Sequence, residues 1–452
     1  CAHLTQTRYA QKACAEIRGN MEFSEQLKIY AETHFENRKK YFAPIISEIE
    51  AGLSLCSEEE ALLIKFFYGT MPLRDAGEYP FETFLSYVRH ALWLRKTIDW
   101  CKRLPEDLFV HDVLYYRINS EDISDCRSFF YEQLKDRIVG LDEYQAAVEI
   151  NYWCAEHATY EMADDRTAGP MTMYRSGKGR CGEESTFTVT ALRSVGLAAR
   201  QVYTPRWAHC DDNHAWVEVW VNGEWHFLGA CEPEEKLDRG WFTGPAGQAL
   251  LIHSRTFGDY AAGKREEVIG RDGAVVCHNV TASYTKTRKL RIQVRKQDNT
   301  PAAHAQVSVE ILNMAEYFPA AVLETDEQGG TSIRLGLGDI RLQARSEGKF
   351  VERYCNLAED GVGAADADCA VTLVLKDSEA GMKDALSGVS ACEWHLAKLC
   401  APKEVVVRES VLSEEEVSRG TRRLADAVKL REERFDQLTR HAIAVHPEEE
   451  ER

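Results

Sequence analysis

The stretch from residue 177 to residue 233 constrains the fold more than any other part of the chain. Its sequence is GKGRCGEESTFTVTALRSVGLAARQVYTPRWAHCDDNHAWVEVWVNGEWHFLGACEP. Asn222-Gly223 separates two apolar runs and is the strongest short signal for a β-hairpin. Glu183 to Val195 favours a helix that Gly196 ends, and a strand is expected from Leu197 to Tyr203. The stretch therefore predicts a helix followed by strands, an arrangement of the α+β class.

Cys181 lies between glycines, where a loop meets the start of the predicted helix. The positive end of a helix dipole stabilises a thiolate, and Arg180 would add a cationic neighbour. The amides of the first helical turn also offer hydrogen-bond donors to an oxyanion. We therefore predict that Cys181 is a nucleophile rather than a buried, inert cysteine.

His214 begins the predicted strand HAWVEVWV, where the ladder would hold its side chain rigidly. A cysteine nucleophile paired with a histidine needs a third group that orients the imidazole. Counting outward from the hairpin turn places Gly229 and Cys231, not an acid, on the face that His214 shares. A β-bulge at Gly229 would shift the register by one residue and bring Glu232 to the histidine.

The loop before His214 offers two alternatives. Asp211 and Asp212 would orient the imidazole if this loop folded over it. His209, Cys210, Asp211 and His214 also lie close enough in sequence to ligate zinc. Loop residues this adjacent rarely converge in a tetrahedral arrangement, so we expect neither a metal nor another cofactor.

The pieces GRCGE, ALRSVGLAAR and HAWVEVW resemble the core of the transglutaminase-like superfamily, which has a papain-like Cys-His-acid fold. The resemblance covers residues from about 150 to 245. Arg-Cys-Gly-Glu at 180–183 is most similar to the peptide N-glycanase branch, whose acid strand has Asp-Pro-Cys-Glu where this chain has Gly-Ala-Cys-Glu at 229–232. Gly240-Trp241 matches a Gly-Trp pair of that branch. As a whole, the chain also resembles uncharacterised bacterial transglutaminase-domain proteins.

This resemblance implies that Cys181 is the nucleophile and His214 the general base. The acid position of the family falls on Gly229, where this sequence departs from the pattern. Either Glu232 replaces that acid or the site works as a dyad.

The chemistry predicted is attack of a thiol on an amide carbonyl to give a thioester, which water or an amine then resolves. Hydrolase, acyltransferase, peptidase and peptide N-glycanase activities all remain open, with a protein, peptide or glycopeptide as substrate. Trp207, His209 and Trp241 are candidates for lining an acyl or sugar pocket. The missing aspartate keeps a non-catalytic binding or assembly protein as the alternative.

The other regions are predicted to surround this α+β core, assigned to residues 169–276. Residues 1–168 carry apolar residues at helical spacing, with a capping box at Ser57 and Glu60. Residues 284–377 alternate apolar and polar positions and resemble the small β-sandwiches of the carboxypeptidase regulatory-like or immunoglobulin-like type. Residues 378–452 form a charged helical segment with heptad-like spacing, which we expect to dock within the same chain, and end in an acidic tail at 448–452.

The totals exclude some classes of function. A net charge of −18 disfavours binding to nucleic acid, which needs a basic face. No apolar run is long enough to span a bilayer. The fourteen cysteines include no CxxC pair and do not fix the compartment. Cys1 in place of Met would fit a lipid-modified terminus at the cell surface, although truncation is the preferred explanation.

Overall fold

The computed structural model describes residues 22–162, 167–264, 266–358, 369–377 and 409–445, with side chains described up to residue 438. The predictions for residues 1–21, 378–408 and the acidic tail at 448–452 lie outside these ranges. None of the described helices is long and apolar enough to cross a membrane. The described chain combines helices with several sheets, which confirms the predicted α+β class.

The N-terminal region is helical, as its apolar spacing predicts. Ser57 and Glu60 form the predicted capping box, in which the Glu60 amide donates to Ser57 Oγ at 3.2 Å and the Ser57 amide donates to Glu60 Oε2 at 2.9 Å. Buried aromatic side chains fill the space between the helices. The helices are α1 (Glu25–Arg38), α2 (Ile46–Ser54), α3 (Glu58–Thr70), α4 (Leu73–Glu78), α5 (Phe81–Thr97), α6 (Asp99–Arg103), α7 (Glu106–Phe109), α8 (Arg127–Leu134) and α9 (Glu143–His157).

A short parallel pair, β1 (Thr159–Tyr160) and β2 (Lys178–Gly179), flanks helix α10 (Pro170–Ser176) and leads into helix α11 (Cys181–Ser194). From Glu183 onward every residue of α11 is buried. Helices α8 and α9 pack on α11. The N-terminal region therefore encloses the helix that begins at the candidate nucleophile.

A six-stranded antiparallel sheet packs against α11. Its strand order is β5-β4-β3-β6-β8-β7. The strands are β3 (Ala199–Thr204), β4 (His214–Val221), β5 (Glu224–Leu228), β6 (His253–Phe257), β7 (Glu267–Asp272) and β8 (Val275–Asn279), and the short helix α12 (Thr243–Ala246) precedes β6. Asn222 and Gly223 have φ values of 53° and 91°, which a type I′ hairpin turn requires, and Val221 pairs with Glu224. The predicted hairpin and its register are confirmed.

Two further sheets share a separate apolar core, with strand orders β11-β10-β13-β14 and β12-β9-β15. The alternating residues Leu290, Ile292 and Val294 point into it, as do Val307 and Val309. This alternation is the pattern from which strands were predicted. The strands are β9 (Thr287–Arg295), β10 (Gln306–Asn313), β11 (Glu316–Glu324), β12 (Gly330–Gly336), β13 (Asp339–Ser346), β14 (Lys349–Asn356) and β15 (Cys369–Val374).

The last described element is the long helix α13 (Glu414–Val445), which lies along α9. Arg423 bonds to Glu149 and Glu235, and Arg431 Nη1 donates to the carbonyl of Ala155 at 3.0 Å. Ala427 is 2% exposed at this contact. The expected intramolecular docking is confirmed, and both basic side chains and the apolar residue Phe435, whose ring lies against Gly177, make the contact.

Candidate active site

Cys181 is the first residue of α11, preceded by Arg180 at the N-cap. Burial raises the pKa of its thiol above the ordinary value, and Glu184 adds to the increase. The backbone N–H groups of Ala215 and Gly182 favour the thiolate and oppose these effects. The thiol therefore lies within reach of the first turn of α11 and of the backbone of β4, and it is protonated at neutral pH.

Arg180 and the start of α11 do not bring the pKa of the Cys181 thiol below its ordinary value, although the Gly182 N–H in the first turn favours the thiolate. Arg180 bonds to Glu183, whose Oε2 accepts from the Arg180 amide at 2.7 Å and whose Oε1 accepts from Nη2 at 2.9 Å. The carboxylate thus compensates the guanidinium charge. Desolvation of the thiol then outweighs the remaining effect of the helix terminus.

His214 is the first residue of β4, where it pairs with Thr204 of β3. The side chain is 7% exposed, and burial lowers its pKa to about 4, so the imidazole is neutral at neutral pH. Its Nε2 is buried without a hydrogen-bond partner. Ring centroids around the imidazole lie at 4.7 Å (Trp241), 5.1 Å (Phe242), 5.8 Å (Trp216) and 6.2 Å (Trp207).

The fold brings Cys181 to the strand end that carries His214. Ala215, whose N–H favours the Cys181 thiolate, directly follows His214 in β4. Helix α11 packs on β4, so the start of the helix and the start of the strand meet at one end of the sheet. A protonated thiol and a neutral imidazole therefore share this end, an arrangement suited to general-base activation of the thiol.

The strand carrying the predicted acid turns rather than bulges. The β4–β5 ladder ends at the Val217–Leu228 pair. The Glu232 amide then donates to the Gly229 carbonyl at 3.2 Å, and Cys231 has a φ of 58°. The predicted bulge at Gly229 is wrong, because this four-residue turn ends the ladder before His214 is reached.

Glu232 nevertheless occupies the space beside residue 229. A Cβ atom on residue 229 would lie 3.1 Å from both Cβ and Oε2 of Glu232. Glu232 Oε2 accepts from Trp241 Nε1 at 2.9 Å, and the Trp241 ring packs on His214. Burial raises the pKa of Glu232, and the Trp241 N–H opposes this increase. Glu232 therefore has no direct hydrogen bond to His214; its carboxylate bonds to the Trp241 indole, and the indole packs on the imidazole.

The alternative acids do not approach His214. Asp211 Oδ1 accepts from the Met314 amide at 2.8 Å, and Asp212 Oδ1 accepts from the Asn213 amide at the same distance. Across the described ranges, no hydrogen bond or ion pair joins a carboxylate to His214. Nor do the described residues include a group of three or more His, Cys, Asp or Glu side chains placed to hold a metal ion.

The three predicted substrate contacts have different environments. Trp241 is 59% exposed beside His214, and so it is available to a ligand. Trp207 is 2% exposed and lies parallel to Trp216 at 6.3 Å. His209 packs near Trp207 at 5.5 Å, in the loop before β4. A role in substrate binding stays a prediction for all three residues.

Sequence reasoning missed the residue that supports this loop. Asn313, at the end of β10, donates from Nδ2 to the carbonyls of Trp207 at 2.9 Å and Cys210 at 2.7 Å. It is 1% exposed and lies about a hundred residues further along the chain, so no local pattern could connect it to the loop. Glu184, one helical turn after Cys181, was also missed, although its spacing places it on the same face of α11.

Residues 132–230 match the family model of the transglutaminase-like superfamily. A comparison with curated proteins finds no match. The match is to the superfamily as a whole and does not single out the peptide N-glycanase branch.

Solved structures similar to this chain are distant. A candidate cysteine protease from Cytophaga hutchinsonii is 16% identical over 29% of this chain and 44% of its own, with a TM-score of 0.24. A red sea bream transglutaminase is 11% identical over 51% of this chain and 57% of its own, with a TM-score of 0.22. A protein described as a TGase is 15% identical over 32% of this chain and 38% of its own, with a TM-score of 0.20. The chain spans less than two thirds of the length of each.

The family match covers both Cys181 and His214, which the fold places at one end of the same sheet. It supports a cysteine-dependent class of enzyme. Over residues 132–230, this chain is therefore similar to the transglutaminase-like superfamily.

Proposed function

We propose that the protein is a cysteine-dependent hydrolase or acyltransferase that acts on amide bonds, with Cys181 as nucleophile and His214 as general base. The observation that carries this proposal is the position of the thiol at the start of α11, beside the first residues of β4. The neutral imidazole of His214 can accept a proton, which the protonated thiol needs to lose before or during attack.

In the first step, the thiol proton moves to the His214 imidazole as sulfur bonds to the amide carbonyl carbon. The N–H of Gly182 in the first turn of α11 is a candidate donor to the oxyanion that forms. The imidazolium then protonates the departing amine as the C–N bond breaks, which leaves a thioester on Cys181. Water or a second amine attacks the thioester and regenerates the thiol.

We assign the orienting role to Glu232, acting through Trp241. The absence of a side chain at Gly229 leaves room for the Glu232 carboxylate at the position where the family has its acid. Its bond to Trp241 Nε1 fixes the indole that packs on His214. Glu232 is therefore a positioning residue, and its loss should reduce turnover less than the loss of His214.

A non-catalytic binding or assembly protein is the second candidate function. The observation that favours it is the buried Nε2 of His214, which has no hydrogen-bond partner. A histidine without a bonded carboxylate lacks the third group that cysteine enzymes generally use.

The rate of alkylation at residue 181 distinguishes these two candidates. Iodoacetamide labelling between about pH 6 and pH 10 is followed by mass spectrometry of the peptide that contains residue 181, because the other cysteines also react. With His214 as base, we expect His214→Ala to slow labelling near neutral pH by roughly tenfold or more, and to match the wild type at high pH, where the thiol ionises unaided. Cys181→Ser provides the blank. Equal rates and equal pH profiles would favour the binding protein.

The reaction class is then assigned with two substrates. A glutamine peptide incubated with a labelled primary amine reports transamidation through incorporation of the label, and hydrolysis through release of ammonia without incorporation. A glycopeptide tests the glycan-amidase alternative. Cys181→Ser should abolish whichever activity appears, whereas Glu232→Gln should reduce it in part. Activity that survives Cys181→Ser would contradict the assignment of the nucleophile.

A further inference from the structure

A cavity distinct from the Cys181 site lies between the N-terminal helices and the six-stranded sheet. It is a small cavity of about 50 Å³, and it opens to solvent. Arg200 lies on its wall and is the cross-strand neighbour of Glu218 in β4. Glu218 follows His214 by four residues, so this wall lies roughly 13 Å from His214 along the strand. The polar part of its wall consists of Asp107, His111, Asp112, Arg200, Glu266 and His278.

His111 lines this cavity and carries a hydrogen-bond acceptor without a described partner. Its Nε2 lies 2.9 Å from the carbonyl oxygen of Tyr260, which can only accept, so Nε2 carries the ring proton. Nδ1 therefore holds a lone pair, and it is buried without a partner. Burial lowers the pKa of His111 to about 4, so the ring stays neutral at neutral pH. A buried acceptor without a donor is unfavourable, and a ligand that donates would relieve this cost.

His278 contributes a second acceptor by the same reasoning. Its Nε2 lies 2.8 Å from Thr256 Oγ1, and that hydroxyl also lies 3.1 Å from the Gly258 carbonyl. When the hydroxyl donates to this carbonyl, Nε2 donates to the hydroxyl oxygen. Because burial lowers the pKa of His278 to about 4 and keeps the ring neutral, Nδ1 is then the acceptor.

Asp112 adds a carboxyl group to the same wall. Its carboxyl is 4% exposed, and the guanidinium of Arg193 is 3.6 Å away, beyond hydrogen-bond distance. Arg200 is committed to two carboxylates, since Nε donates to Glu218 at 2.7 Å and Nη2 donates to Glu266 at 2.7 Å. The wall therefore combines acceptors with acidic groups and has little to offer an anion.

We propose that this cavity binds a small primary ammonium ion, which donates hydrogen bonds to His111 Nδ1 and to the carboxylate of Asp112. An ammonium group supplies three donors and a positive charge, which complement the acceptors and the acidic groups of this wall. A metal ion fits less well, because the described residues contain no group of three or more His, Cys, Asp or Glu placed to hold one. The proposal is independent of the reaction at Cys181.

Binding at this site depends on pH through Asp112. Burial raises the pKa of Asp112 to about 7; Arg193 and Arg200 oppose the increase, and Glu266 and Asp107 add to it. The carboxylate forms as the pH rises through this value. His111 and His278 on the same wall stay neutral above about pH 4 and so do not change across this range. Affinity for the cation should therefore increase between about pH 6 and pH 8.

Isothermal titration calorimetry of the full chain with ethylammonium chloride in phosphate buffer tests the proposal. Ethylammonium stays protonated from pH 6 to pH 8. Tetramethylammonium is the matched probe, because it carries the same charge and no N–H donor. We expect saturable binding of ethylammonium that strengthens with pH, and binding of tetramethylammonium that is weaker by about tenfold or more.

Asp112→Asn keeps the shape of the side chain, and we expect it to weaken ethylammonium binding by about tenfold and to remove the pH dependence. Glu347→Gln, in an exposed β13–β14 turn, is the control variant and should bind as the wild type does. Circular dichroism checks that Asp112→Asn folds, and the comparison of the two probes on wild-type protein needs no variant. Absence of saturable binding, equal affinity for both probes, or tight zinc binding that excludes ethylammonium would each overturn the proposal.

Discussion

Replacement of Arg200 by methionine should destabilise the protein strongly, because it leaves a buried carboxylate without its cation. Arg200 is 7% exposed, and its Nε and Nη2 lie 2.7 and 2.6 Å from Glu218 Oε2. Glu218 is 2% exposed and would keep one described partner, the hydroxyl of Tyr284, which donates to Oε1 at 2.6 Å. Methionine preserves much of the side-chain volume beside Trp225, whose ring the guanidinium covers at 4.0 Å.

The expected loss of stability follows from the Glu218 charge, which stays buried without its cation. Breaking a buried ion pair by removing one partner costs about 3–5 kcal/mol in the free energy of unfolding. For a cooperative unit of 150–250 residues this corresponds to a fall of roughly 6–20 °C in melting temperature. Glu266 also loses Arg200, but its side chain is 21% exposed and can be hydrated, so Glu218 should account for most of the loss.

The loss should depend on pH, with a sign that Glu218 determines. Burial already raises the pKa of Glu218, and removal of Arg200 would raise it further. A carboxyl whose pKa is higher in the folded than in the unfolded state destabilises the fold at high pH. This penalty disappears as the pH falls toward the unfolded value of about 4.3. The difference between Arg200→Met and the wild type should therefore be largest near pH 8 and smaller near pH 5.5.

Urea unfolding followed by tryptophan fluorescence at these two pH values measures the difference. The double variant Arg200→Met/Glu218→Gln is the matched control, since it removes both charges and should be more stable than Arg200→Met alone at pH 8. A loss below about 1 kcal/mol in the single variant, or an equal loss at both pH values, would refute the reasoning.

Other contacts give three further predictions. Gly229→Ala places a methyl group 3.1 Å from Glu232 Oε2 and should displace this carboxylate. We expect it to slow alkylation of Cys181 several-fold and to lower the free energy of unfolding by about 1 kcal/mol. Gly244→Ala, whose added methyl group would have nothing within 4 Å, is the control and should change neither the alkylation rate nor the stability. Asn313→Ala leaves the Trp207 carbonyl without its described donor and the Cys210 carbonyl with the Asp212 amide alone. It should cost about 1–3 kcal/mol and raise amide exchange in residues 205–213, measured by mass spectrometry. Arg423→Met removes two ion pairs of helix α13 and should increase amide exchange in that helix at low salt, with a smaller effect at about 1 M salt; unchanged exchange would contradict the assigned docking contact.

Local sequence signals predicted the elements around the site well. Asn222-Gly223 gave the hairpin and its register, because few residue pairs accept positive φ at both positions. The helix at Cys181 and the strand at His214 begin where the motifs indicate. These features depend on backbone preferences and apolar spacing within about ten residues, and both can be read from the sequence alone.

The same local reasoning failed at the acid. Extending the β4–β5 register past Leu228 assumed a continuous ladder, yet the chain turns at Gly229–Glu232. Cys231 adopts a positive φ there, a conformation that is uncommon for residues other than glycine and is not predicted from a cysteine. The Asn151 side chain, about eighty residues away, holds this turn by accepting from the Cys231 amide at 3.0 Å and donating to the Gly229 carbonyl at 2.7 Å.

The sequence by itself determined the elements that carry the candidate residues: a helix that starts at Cys181, a strand that starts at His214, and the hairpin between His214 and Glu232. Tertiary structure decided the state of these groups. Burial by distant helices and strands sets the pKa directions of Cys181 and His214. Trp241 donates a hydrogen bond to Glu232, and Asn313 fixes the loop before His214. Conformational preference acts over neighbouring residues, whereas desolvation and hydrogen-bond partners come from whichever parts of the chain the fold brings together.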